Sequence, residues 1–195
     1  MLSNRCKSQS RSQATRESIL KGVVPEGLSF DEIINDLTIT NNSILPEMVG
    51  IVSLQHYRNG KLLKDYGVAS CKLVTVAFTQ YLVDSMQDST TYPMDVFDWH
   101  AFGTGTTAES NTDTTLETEV DSREQGTLTE GATANIFKTV ATHEFAGTHT
   151  ITEFGVLSAE TVGTLLDRAE GFTPIPVIAT DTITSTYQLT VIAET

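Results

Sequence analysis

Val49-Gly50-Ile51-Val52-Ser53-Leu54-Gln55-His56-Tyr57-Arg58-Asn59-Gly60-Lys61-Leu62-Leu63 is the stretch that decides the fold. An apolar, β-branched run leads into Asn59-Gly60, and an apolar return begins at once. Asn-Gly tolerates the two positive φ angles of a tight hairpin turn, so the stretch predicts two antiparallel strands. Downstream the same logic repeats. Residues 136–145 alternate, with Ile136, Lys138, Val140, Thr142 and Glu144 opposite Phe137, Thr139, Ala141, His143 and Phe145. That two-residue period belongs to a strand with one face inward. Thr recurs every few residues from Phe102 onward, and its branched Cβ suits a pleated, half-wet surface.

Further strands are predicted at 72–82, as another hairpin partner, and at 96–102, 150–157, 164–169, 172–178 and 182–192. Residues 84–94 and 103–105 read as loops, and 112–131 as polar and mostly exposed. Pro174 and Pro176 lack an N–H, which places their strand at a sheet edge. Short strands with turns between them and little helix predict an all-β domain, a β-sandwich or jelly roll.

The chain upstream differs. Residues 1–46 are predicted to form an N-terminal basic arm and 47–195 the sandwich body. Between Met1 and Lys21, Arg5, Lys7, Arg11, Arg16 and Lys21 face a single acid, Glu17. That start has no apolar stretch of the kind a secretory signal needs, and is not read as one. Ser29-Phe30-Asp31-Glu32 has the form of a helix capping box, with Ile33, Ile34 and Leu37 as the buried stripe of one short helix. An arm with one small apolar patch needs another surface to cover it.

Charge sets the partners. The chain holds 25 acidic against 12 basic residues, for a formal net charge of −13. With the basic residues crowded into the arm, the body is more acidic still, and it repels phosphate backbones. Nucleic-acid binding by the main domain is not expected. Neither is membrane association, since no apolar run has transmembrane length. Cys6 and Cys71 form neither a disulfide framework nor a zinc site.

Candidate chemistry reads weakly. Gly103-Thr104-Gly105-Thr106-Thr107 lacks the Lys and the immediate helix of a P-loop, and reads as a turn in which Gly103 and Gly105 allow positive φ. His143-Glu144 and His149 have the wrong spacing for a zincin. Asp95, Asp98 and His100 resemble a metal cluster more closely, but the expected arrangement is an Asp98–His100 hydrogen-bonded pair beside Trp99. No nucleophile elbow, catalytic cysteine or local carboxylate pair is present. The expectation is a protein without catalytic residues, cofactor or metal.

Residues 98–108, Asp-Trp-His-Ala-Phe-Gly-Thr-Gly-Thr-Thr-Ala, resemble a segment of a family of structural proteins from tailed bacteriophages. The similarity continues through Asp113-Thr114-Thr115-Leu116, Arg123, Gly126-Thr127 and Thr139-Val140-Ala141-Thr142. It runs on through 151–157, 163–168, Phe172-Thr173-Pro174-Ile175 and 186–190. It covers about half the chain, residues 97–192, and rests on the order of the motifs. Phe154 departs from it, since relatives often carry a smaller or polar residue there.

The resemblance implies a virion component with a β-sandwich body. The leading expectation is a capsid decoration, or cement, protein on the phage head surface, assembled in the bacterial host cytoplasm. It would bind the major capsid protein and its own copies, as a homotrimer. Arg5, Arg11, Arg16, Ile33, Ile34 and Leu37 are the expected arm contacts. The alternative is a tail, collar or fibre component that binds a receptor or glycan through Trp99, Tyr92 and Tyr81. In the body, Ile151, Phe154, Val156 and Leu157 are expected to supply core. Gly155 is expected to mark a bulge, Leu165 and Leu166 to flank a turn, and Asp167-Arg168 to form a local ion pair.

Overall fold

The computed structural model describes residues 48–191, with only the backbone of Lys72 and Leu73. The body is a β-sandwich of two antiparallel sheets packed together. Strands β1 (Met48–Arg58), β2 (Lys61–Leu73), β5 (Thr127–Glu130), β6 (Ile136–Glu144) and β9 (Thr182–Val191) form one sheet, in the order β2-β1-β9-β6-β5. Strands β3 (Trp99–Gly103), β4 (Glu119–Gln125), β7 (His149–Leu157) and β8 (Leu165–Val177) form the other, in the order β4-β3-β7-β8.

The hairpin forms as its sequence dictates. Asn59 and Gly60 take φ of 51° and 72°, the two left-handed angles that match the turn to the twist of its strands. Strand β6 buries Thr139, Ala141 and His143 and exposes Thr142 and Glu144, as the alternation requires. Strand β8 lies at a sheet edge, where Pro174 and Pro176 cost no ladder bond.

Between the sheets, Val52, Leu54, Ile183, Tyr187 and Leu189 meet Phe102, Phe154, Val156, Ile151 and Ile175 in one core. Phe102 stacks obliquely on Phe154, with ring centroids 5.3 Å apart. A buried acid beside this core is fully paired. Asp181, just before β9, accepts from Arg58 Nε and Nη2, both at 2.7 Å, and from the Ile178 amide at 3.0 Å. His56 Nε2 lies 3.0 Å from the same carboxylate. The Arg58 guanidinium holds the Asp181 carboxyl well below the usual range, against the opposing effect of burial.

Several expectations are corrected. Residues 72–82 are not a strand throughout. Strand β2 ends at Leu73 and helix α1 (Val76–Gln87) begins, running into the segment expected to be a loop. Thr75 is its N-cap, accepting from the Phe78 amide at 3.0 Å and donating to the Leu165 carbonyl at 2.5 Å. The polar stretch 112–131 holds two strands, β4 and β5. Residues 164–178, expected as two strands, form the single strand β8, with Gly171 at φ 82° within it. Leu165 and Leu166 do follow a turn, the β7–β8 connection that the Leu157–Leu165 pair closes and in which Val162 and Gly163 take φ of 61° and 77°. They open β8 with 0% and 1% exposure.

The short helix expected over Ile33, Ile34 and Leu37 lies outside the described residues.

Candidate interaction surface

The connection between β3 and β4, residues 104–118, folds back over the outer face of the four-stranded sheet. On a strand, alternate side chains take opposite faces. Trp99 and Ala101 therefore point outward while His100 and Phe102 point into the core. Leu116 from the connection packs on Ala101, Leu157 and Leu165, with Trp99 at the margin of this second cluster.

Under the connection lie two buried charges. Glu153 on β7 accepts from the amides of Gly105 (2.9 Å), Glu117 (2.9 Å) and Thr118 (2.7 Å). Arg168 on β8 donates Nε to Glu153 at 2.9 Å, Nη1 to Asp113 at 2.9 Å and Nη2 to the Thr107 carbonyl at 3.1 Å. The two acids keep the guanidinium charged, its pKa raised despite burial.

Four stretches quoted above for the resemblance meet here: 102–107, 113–116, 151–157 and 163–168. What they build is a clamp on a long connection.

This geometry corrects the reading of Asp167 and Arg168. They are neighbours on a strand, so they face opposite ways. Asp167 points into the sandwich and accepts from the Tyr187 hydroxyl at 3.0 Å. Gly103 and Gly105 do not adopt positive φ. They are glycines because Glu153, Glu117 and the Thr118 carbonyl crowd the space a Cβ would fill. Gly155 is not at a bulge either; its partner Arg168 is in register, and the Leu116 side chain fills the space above it.

The other candidates separate. Asp98 and His100 do not pair. Asp98 accepts from Gln125 Nε2 at 2.9 Å, while His100 meets Ser185 Oγ at 2.6 Å and Thr139 Oγ1 at 3.1 Å. Burial pushes the His100 pKa down to about 3, so the ring is neutral at pH 7. Asp95 is exposed on the short 3-10 turn Met94–Val96. His143 is buried between Phe102 and Phe145, and neither ring nitrogen has a hydrogen-bond partner. Its Nε2 lies 3.9 Å from Asp121 Oδ2, and that of His149 lies 3.7 Å away. Burial lowers the His143 pKa, opposed by Asp121. Among the described residues, no group of His, Cys, Asp and Glu is placed to hold a metal ion.

Tyr81 packs edge-on against Tyr92 and Phe97 beside the main core, whereas Trp99 belongs to the outer cluster. The three aromatics proposed for a glycan groove do not come together. Arg5, Arg11, Arg16, Ile33, Ile34 and Leu37 lie outside the described residues.

What the body does present is apolar surface around α1, which the strand reading of 72–82 missed. Phe78, Leu82 and Ser85 turn inward, with Phe78 packed edge-on against Phe97 at 5.1 Å. On the opposite side Val76, Val83 and Met86 are 53%, 50% and 81% exposed, and helical spacing sets them in one ridge. Beneath α1, an open apolar groove of about 190 Å³ runs between the two sheets at one end of the sandwich. The spacing of Phe78, Tyr81 and Leu82 was the sequence signal for this helix.

Comparison with protein-family models, curated proteins and solved structures gives no match.

Proposed function

We propose that this chain is a structural component of a tailed-phage particle, a decoration (cement) protein on the outside of the head. In this reading it works as a homotrimer against the major capsid protein. Its action is adhesive, with no catalytic step. Motif order over residues 97–192 suggests the class of protein. The physical observation that carries the reading is the exposed ridge of Val76, Val83 and Met86 on an otherwise acidic body. Isolated apolar residues on a surface are ordinary, but three aligned on one helix offer a contact to another protein.

The sandwich body supplies a rigid platform, its long β3–β4 connection clamped by Glu153 and Arg168. The basic arm supplies reach. Arg5, Arg11 and Arg16 would steer onto an acidic shell surface, and many arms on one lattice add avidity without any single strong contact.

Removal of residues 1–46 tests the reading. The body has its own core and is expected to stay folded. In co-sedimentation with undecorated capsids, the full chain is expected in the pellet and the truncated body in the supernatant. Normal binding by the truncated body would remove the arm from the mechanism. Failure of the full chain to bind would remove the decoration reading.

A further inference from the structure

We propose that the groove under α1 is the seat of this chain's own N-terminal apolar segment, with Ile33, Ile34 and Leu37 packed into it from the same molecule. The inference stands on the groove and the sequence, and does not depend on the virion reading.

The groove is built as a receptor for aliphatic side chains. Phe78 and Leu82 of α1 form one wall, Phe137 and Leu189 of the five-stranded sheet another, and Met94 closes one side. Almost all the lining surface is carbon. Phe137 and Met94 are only partly buried, although both pack against the main core. A closed cavity of about 150 Å³ takes up a benzene molecule. A groove of about 190 Å³ therefore takes one or two of the three aliphatic side chains inside, with the remainder of the triplet covering its open mouth.

The chain itself leads to this place. Met48, the first residue of β1, lines the groove and pairs with Val191, which also lines it. The residues before Met48 thus start at the lip. Ile33, Ile34 and Leu37 lie shortly upstream of Met48 in the sequence. Fully extended, the stretch from Leu37 to Met48 reaches ~35–40 Å, far more than this end of the sandwich requires. The sequence predicts a capping box at Ser29–Glu32 opening a short helix with Ile33, Ile34 and Leu37 on one side, and a helix of that length does not hold itself together in water. Such a helix forms when an apolar surface receives it. The groove is the apolar surface nearest in sequence.

Charge favours the same arrangement. The stretch from Met1 to Lys21 carries five bases and one acid, and the body is strongly acidic. Attraction holds the arm near the body, so the apolar triplet samples the groove at high effective concentration. Seating it there leaves Arg5, Arg11 and Arg16 as the free part of the arm. This narrows the capsid contact to the basic residues and gives the triplet a structural role.

The test uses the full chain in three forms: unaltered, Ile33→Ser/Ile34→Ser/Leu37→Ser, and Leu82→Glu. The triple substitution changes no residue of the described body core. In the unaltered chain, hydrogen exchange at residues 33–37 is expected to be slowed at least about tenfold relative to either variant, a difference of ~1.4 kcal/mol. The Met48 and Met94 methyl resonances should shift in the triple variant, since both methionines border the groove. Exchange equally fast in all three forms, or methyl signals that do not move, would overturn the proposal. A nitroxide on Asp36→Cys, in a chain with Cys6→Ser, reports which molecule is seated; Cys71 is buried and stays unlabelled. Broadening of Met94 within the labelled molecule is expected. Broadening only between molecules in a mixed sample would overturn the same-chain assignment.

Discussion

The Arg168 guanidinium meets the Glu153 carboxylate at 2.9 Å beneath residues 104–118, with side chains only 4% and 0% exposed. Two buried ions gain little over a well-packed apolar pair, because desolvation offsets their attraction. Removing one partner is another matter, since the other charge stays buried. Glu153→Ala is expected to destabilise the body by ~3–5 kcal/mol. The double variant Glu153→Leu/Arg168→Met should cost much less than the two single changes combined. Urea unfolding measures both, and hydrogen exchange should show the Gly105, Glu117 and Thr118 amides unprotected in Glu153→Ala, because their acceptor is gone.

Gly103 reports how tightly that clamp is packed. A Cβ there would collide with Glu153 Oε1 and come within 2.5 Å of the Thr118 carbonyl oxygen. The carbonyl is backbone, and Glu153 is held by three amides and Arg168, so neither yields easily. Gly103→Ala is expected to cost ~3 kcal/mol. Gly67 is the control. It sits at φ 59° with nothing within 4 Å, so Gly67→Ala should cost only ~1 kcal/mol, from backbone conformation. Equal losses in thermal unfolding would show that the connection is loosely packed.

His100 sets an acid limit on stability. The unfolded imidazole takes up a proton near pH ~6.5. In the folded core burial delays this to about pH 3. Between these values the unfolded state binds more protons, so stability falls as pH falls, by up to ~1.4 kcal/mol per pH unit for this group. Above pH ~6.5 both states are neutral at His100 and its effect vanishes. His143, with its pKa also lowered, adds to the same window. The urea midpoint should drop between about pH 6.5 and 4, and more gently in His100→Gln. An NMR titration should show no change at His100 above about pH 5.

Thr75 holds α1 in place. Its hydroxyl accepts from the Phe78 amide and donates to the Leu165 carbonyl, joining the helix start to β8. Thr75→Val keeps the shape and removes both bonds, at an expected cost of ~1–2 kcal/mol. Amide exchange in 76–82 should accelerate more than in the sheets. If it does not, the helix is held by Phe78 and Leu82 packing alone.

Much of the sandwich is legible in the sequence, and what is not has physical causes. The Asn59-Gly60 turn, the alternation of β6 and the edge position of Pro174 and Pro176 each follow from a local rule: positive φ, period two, a missing donor. Helix α1 was hidden because Val74-Thr75-Val76 looks like the strand before it. Its cap became visible only once Thr75 Oγ1 met the Phe78 amide. The Glu153–Arg168 clamp was illegible for a different reason. Its partners stand on two different strands, and the connection they hold spans residues 104–118, so no local spacing marks them. Gly103 and Gly105 were noticed, but for a turn rather than for the crowding that requires them.

If this chain decorates a phage head as proposed, its copy number in purified particles shows it most directly. Quantitative mass spectrometry against the major capsid protein should give a ratio of the same order as one to one. A few copies per particle, or none, would contradict the account.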